Sequence, residues 1–136
     1  SNTIYKTNVF NINGTDGYVE TDDGLHLEVA SVSDSTREGT NPEQLIGMSW
    51  ATCLNSTMRS LLKARKIEAN TKVRVEVSFN QEKPMSYYFE LHAYASIEGM
   101  SKEEALKIAE QAHRRCPVSK LMANSDTVFV HAEEYA

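Results

Sequence analysis

The chain opens with short runs of alternating polar and apolar positions, such as Tyr18 to Glu20 and Leu25 to Val29, punctuated by Asn13-Gly14, Asp16-Gly17 and Asp22-Asp23-Gly24. Alternation with a period of two turns one face of a strand to a core, and Asn-Gly and Asp-Gly pairs adopt the positive φ that tight turns need. The first forty residues therefore read as a meander of three short strands. Ser31 to Gly39 is polar and loop-like, and includes Arg37. A helix start follows: Asn41 can cap, Pro42 suits the first helical position, and Gln44 stands three residues after the cap as in a capping box. The spacing predicts a helix to about Lys66. Its first half (Leu45, Ile46, Met48, Trp50, Ala51, Cys53, Leu54) is apolar on nearly every side, while Arg59, Lys63 and Arg65 bring charge back later. That half should be deeply buried.

Period two returns at Val73, Val75, Val77 and Phe79, which alternate with Arg74, Glu76 and Ser78, and again at Phe89, Leu91, Ala93 and Ala95. These are two long, half-buried strands, expected to form a hairpin through Gln81 to Ser86 with Pro84 in the turn. Ser101 and Glu104 make a second capping box, and Ala105, Ile108, Ala109 and Ala112 recur at helical spacing up to Arg115. Pro117 disfavours helical geometry at Cys116 and can open a new short helix through Leu121, which leaves Cys116 at a helix junction. Val128 to Ala132 reads as a last strand. The fold class is α+β.

Length and composition narrow the function. A chain of 136 residues fits one domain, 1–136, with no repeat, low-complexity stretch or linker to divide it. Its 40% hydrophobic and 24% charged content is that of a globular chain. The net charge of −5, with basic residues scattered, argues against a nucleic-acid partner. No apolar stretch approaches the ~20 residues of a spanning helix, and Ser1-Asn2-Thr3 lacks the features of a secretory signal, so no membrane role and a cytoplasmic location are expected.

Two cysteines, Cys53 and Cys116, stand 63 positions apart, too few and too distant for a zinc cluster or a disulfide-stapled scaffold. Either can be a small buried hydrophobe. Around Cys53 the residues favour that ordinary role. Cys116 differs, because a helix N-terminus and the preceding Arg114 and Arg115 both favour thiolate. Spacing alone cannot bring the two sulfurs together. His113 and Cys116 could form half a metal site, but no second pair completes it, and no metal or cofactor is expected. His26, His92 and His131 stand singly in strand-like segments and read as surface positions.

The stretch Gly39-Thr40-Asn41-Pro42-Glu43-Gln44-Leu45-Ile46-Gly47, then Ala51-Thr52-Cys53, together with Cys116-Pro117-Val118-Ser119-Lys120, resembles the OsmC/Ohr family of organic hydroperoxide reductases. The order of hairpin and helix between the motifs follows the family, so the resemblance spans essentially the whole chain. It implies an OsmC-like fold: an N-terminal strand meander, a long central helix, a β-hairpin, a second helix and a C-terminal strand, intertwined as a homodimer with sites near the subunit interface. It further implies that Cys53 attacks the peroxide and Cys116 resolves the sulfenic acid as a disulfide. The residues themselves do not assign that order, and local electrostatics slightly favour the reverse.

Family sites also carry a glutamate that holds an arginine over the reactive sulfur. Glu43 matches the glutamate. Ten residues of straight helix span about 15 Å, so Glu43 reaches Cys53 of its own chain only if the helix bends, as Gly47 permits, or else serves the dimer partner. The Ohr branch carries its arginine in an N-terminal Gly-Gly-Arg segment, where this chain reads Asn13-Gly14-Thr15-Asp16-Gly17. Arg37 lies where the OsmC branch places its own, and is the residue expected to activate Cys53. Trp50, Met48 and Met58 are candidate walls of an apolar substrate pocket, or plain core. The implied activity is reduction of alkyl or lipid hydroperoxides, with a dithiol reductant such as a lipoylated protein. The alternative is a non-catalytic binder of hydrophobic ligands, or a redox sensor, built on the same fold.

Overall fold

Of the turn signals near the N-terminus, Asn13-Gly14 and Gly24 take the positive φ that the sequence predicts, whereas Gly17 stays at φ −140. In the computed structural model, which describes residues 2–136, β1 (Val9–Ile12), β2 (Tyr18–Thr21) and β3 (His26–Glu28) form an antiparallel sheet in that order. A 3-10 turn at Gly14–Asp16 joins the first two, entered through Asn13 at φ 66. The Asn11 side chain closes this corner, accepting from the Gly14 N–H (2.9 Å) and donating to the Tyr18 carbonyl (3.1 Å). Gly39 has a steric reason: a Cβ there would lie 2.6 Å from the Glu28 carbonyl oxygen, where Thr40 N–H bonds that same oxygen at 2.9 Å.

The chain divides at Leu45/Ile46 into two compact units. Helix α1 (Pro42–Ala64) begins in the first and continues into the second. Half of the expected capping box at its start is present. The Gln44 N–H donates to Asn41 Oδ1 at 2.8 Å, but the Gln44 side chain accepts from the Thr40 hydroxyl (3.0 Å) instead of reaching back to Asn41.

In the second unit β4 (Thr71–Lys83) and β5 (Ser86–Ile97) make a long hairpin, and β6 (Val128–Ala132) adds parallel to β5. The turn is tighter than the sequence suggests. Lys83 pairs with Ser86, leaving only Pro84 and Met85 at the tip, with Met85 in the left-handed region at φ 62. Proline followed by a positive-φ residue is the pattern of a type II turn. The β5-to-β6 crossover runs through α2 (Lys102–Arg115) and α3 (Pro117–Leu121), and both bonds of the Ser101/Glu104 capping box are made.

Burial of α1 corrects the sequence reading. Its first half is not enclosed: Met48 is 52% exposed, and the buried positions form one stripe, Gly47, Trp50, Leu54, Met58, Leu61 and Leu62, at helical spacing over both halves. Gly47 does not break the helix; a Cβ there would sit 3.3 Å from Val77, so glycine lets α1 lie close on β4. The stripe shares one core with Leu91, Ala93, Ala95 and Ile97 of β5, Ala105, Ile108, Ala109 and Ala112 of α2, and Cys116. The many alanines admit close approach of helix to sheet. Fully buried Leu54 and Met58 contribute about 1.5–3 kcal/mol each by leaving water.

His26, exposed, and His92 and His131, half-buried, stand on strands, and each has side-chain partners. His92 Nδ1 and His131 Nε2 lie 2.8 Å apart in nearly coplanar rings, and His92 Nε2 meets Glu90 at 2.8 Å. His26 bonds both Glu20 and Glu28. His92–Glu90 and His26–Glu28 are same-face neighbours on one strand, while registry brings Glu20 opposite His26 and sets His131 diagonal to His92.

Candidate active site

Cys53 lies on α1 one turn after Trp50, beside the buried stripe and partly open to solvent. Thr57 Oγ1 donates to its carbonyl at 2.9 Å. Cys116 arrives from the other side. Its N–H closes α2 by donating to Ala112 O at 2.7 Å, and its carbonyl accepts from Lys120 N–H at 2.9 Å in α3. Between those two helices its backbone is extended, φ −61 and ψ 121, because Pro117 excludes a helical residue before it. The junction aims the Cys116 side chain inward, where it is fully buried.

The two sulfurs lie 3.0 Å apart as free thiols joined by an S–H···S hydrogen bond. Helix α3 supplies the remaining polar contacts. Its Ser119 N–H points to Cys116 Sγ at 3.4 Å, and the Val118 N–H of the same turn favours the charged form of Cys53. Burial pushes the Cys53 thiol up from its ordinary value, the hydrogen bond with Cys116 pushes the same way, and the Val118 N–H opposes both. One proton shared by two close sulfurs explains the second effect. Arg114 and Arg115, which the sequence sets beside Cys116, point outward and are exposed.

Trp50 is fully buried and donates its indole N–H to Ser119 Oγ at 2.8 Å, joining positions 69 residues apart. Sequence reading missed Ser119 and the amides of α3. The signal available was the spacing itself, since a cap residue accepts from the N–H three positions on. Met58 is fully buried in the same core, whereas Met48 stands half open to solvent. His113 packs its ring 6.1 Å from that of Trp50, and burial lowers its pKa, with Arg114 adding to the effect. Among the described residues no three His, Cys, Asp or Glu side chains converge on a metal position. Among the described residues no helix is long and apolar enough to cross a membrane.

Arg37 and Glu43 belong to the first unit. The Arg37 guanidinium donates to the Val29 carbonyl at 2.8 Å and, more weakly, to Gly17 O at 3.4 Å, so it ties its polar loop to the end of the strand meander. Its Nε is buried without a protein partner. Glu43 occupies the first turn of α1, where a carboxylate complements the helix dipole.

The OsmC-like protein family matches residues 33–131. A Staphylococcus aureus organic hydroperoxide resistance protein-like protein is 34% identical over 123 residues, 85% of this chain and 86% of the relative. Among solved structures, a Lactobacillus casei protein superposes with a TM-score of 0.91 at 30% identity, covering 98% of this chain and 94% of that one. The organic hydroperoxide resistance protein OsmC of Legionella pneumophila gives a TM-score of 0.85 at 28% identity, covering 99% and 100%. With the matched region including both cysteines and the α+β architecture shared along its length, the chain belongs to the OsmC/Ohr family.

Proposed function

We propose that this protein is a thiol-dependent peroxidase that reduces organic hydroperoxides, alkyl or lipid, to alcohols. The observation that carries this reading is the 3.0 Å separation of two free thiols, one buried and one partly open. Accessibility supports Cys53 as the attacking residue and Cys116 as the resolving one, reversing the preference that local sequence electrostatics gave. The Cys53 thiolate attacks the terminal peroxide oxygen and the O–O bond breaks. The alkoxide leaves, takes a proton and departs as alcohol, and Cys53 becomes the sulfenic acid. Cys116 then attacks that sulfur; the S–S bond forms, and hydroxide leaves and is released as water with the Cys116 proton. A dithiol such as a dihydrolipoyl group returns both thiols by exchange and is itself oxidised to the cyclic lipoyl disulfide.

In this reading Arg37 favours the thiolate and orients the peroxide. Because α1 runs unbroken from Pro42, Glu43 is assigned to the site of the partner subunit in an intertwined homodimer. Trp50 and Met58 back the sulfurs from within the core, and Met48 offers open apolar surface to an alkyl chain. The whole chain works as one domain in the cytoplasm without cofactor or metal.

Thiol titration tests the proposal. Cumene hydroperoxide should remove two thiols per peroxide consumed, faster than hydrogen peroxide does. Cys53→Ser should consume none, Cys116→Ser should stop at a trappable sulfenic acid, and Arg37→Ala should slow the first step. Wild-type protein that keeps both thiols after treatment would sink the reading.

A further inference from the structure

We infer that Trp50 is a positioning residue for the cysteine pair: through its bond to Ser119 it fixes the first turn of α3, which carries the N–H bonded to Cys116 Sγ. The inference rests on the dithiol reading of the site above. Its starting point is the size of α3, five residues long. So short a helix has no stability of its own, and its orientation is set by what it touches. Its inner contact is the Trp50 indole N–H on Ser119 Oγ at 2.8 Å, with Trp50 fully buried and Ser119 1% exposed.

A buried donor and acceptor cost desolvation that an apolar pair of the same shape avoids, so this bond contributes direction more than raw stability. The direction matters here. Ser119 also gives its N–H to Cys116 Sγ at 3.4 Å, and the N–H of the neighbouring Val118 favours the charged form of Cys53. Trp50 stands on α1 one turn before Cys53, so a single turn of α1 carries both the partly open sulfur and the group that sets the opposing amides. The Cys116 sulfur thus has an N–H ready when it carries charge, as it does when the disulfide is reduced.

The test compares wild type, Trp50→Phe, Ser119→Ala and the double variant. Two readouts are the dithiol–disulfide equilibrium of Cys53 and Cys116 in thiol redox buffers, and the pH midpoint for alkylation of each cysteine, resolved by peptide mass. Each single variant should shift the disulfide equilibrium constant by about five- to tenfold, as losing one partner of a buried bond does. Each should also raise the Cys53 alkylation midpoint. If both act through one bond, the double variant should fall no further than the worse single one. Midpoint and equilibrium at wild-type values in folded Ser119→Ala, or effects that add in the double variant, would overturn the inference. Failure of the wild type to form the disulfide with either diamide or cumene hydroperoxide would instead overturn the dithiol reading beneath it.

Discussion

At the scale of residues, the two cysteines are joined by one S–H···S hydrogen bond. Because burial and the bond to Cys116 both raise the Cys53 thiol above its ordinary 9.0, the folded protein keeps a proton that the unfolded chain has lost once pH passes that value. Stability from this group is therefore complete below about pH 9 and declines as pH rises through the folded midpoint. Replacing Cys116 by Ala removes one of the two raising effects, so the Cys53 alkylation midpoint should move down; iodoacetamide rates against pH measure it, and an upward shift would contradict the shared-proton account. Much of this was beyond the sequence. The motifs named both cysteines, but a separation of 63 positions carries no distance, and the backbone amides that touch the sulfurs have no side-chain signature. The contacts of the histidines were hidden for a related reason. Alternation tells which face a residue takes, but not that His131 on a parallel strand lies diagonal to His92. Arg37 was legible as a loop arginine of special position, and its bonds to Val29 and Gly17 give it a structural task alongside the proposed chemical one.

At the scale of elements, local rules were the most readable part. Ser101 and Glu104 announced α2, and Pro117 announced both the end of that helix and the start of α3, because proline constrains the residue before it as strongly as itself. The strand pair was also clear, but not its length: Gln81 to Lys83 lack apolar alternation and yet extend β4, since pairing with β5 satisfies their backbone regardless of side chain. The resulting two-residue turn forces Met85 to φ 62, where a side chain is strained, while that side chain is 90% exposed and contributes little contact. Met85→Gly should therefore stabilise the protein by up to about 1 kcal/mol, seen as a rise in Tm of roughly 3 °C. A fall would show that the methionine makes contacts that outweigh its backbone strain. The overestimate of burial at the start of α1 has an equally simple origin, because an apolar composition shows what a surface could cover, not how much its own chain does.

At the scale of the whole molecule, the first unit is short of core. Gly17, Val29 and Ala30 are its only buried residues among those described, while Val9, Phe10, Leu25 and Leu27 are each at least 37% exposed. So small a core does not sustain a sheet alone, which supports the proposed homodimer. If it forms, unfolding should depend on mass action: Tm should climb with protein concentration, and sedimentation should give about twice the 15.3 kDa of one chain. A concentration-independent Tm and a monomeric mass would remove that support. The clamp on Cys116 bears on how such an assembly experiences oxidation. With its N–H held by one helix and its carbonyl by the next, this residue cannot swing its main chain toward Cys53. Closing the sulfur gap by about an ångström is then left to side-chain torsions. The two oxidation states should be nearly silent in the backbone, so the scaffold need not refold in each cycle, and any partner that distinguishes them has to read the sulfurs themselves.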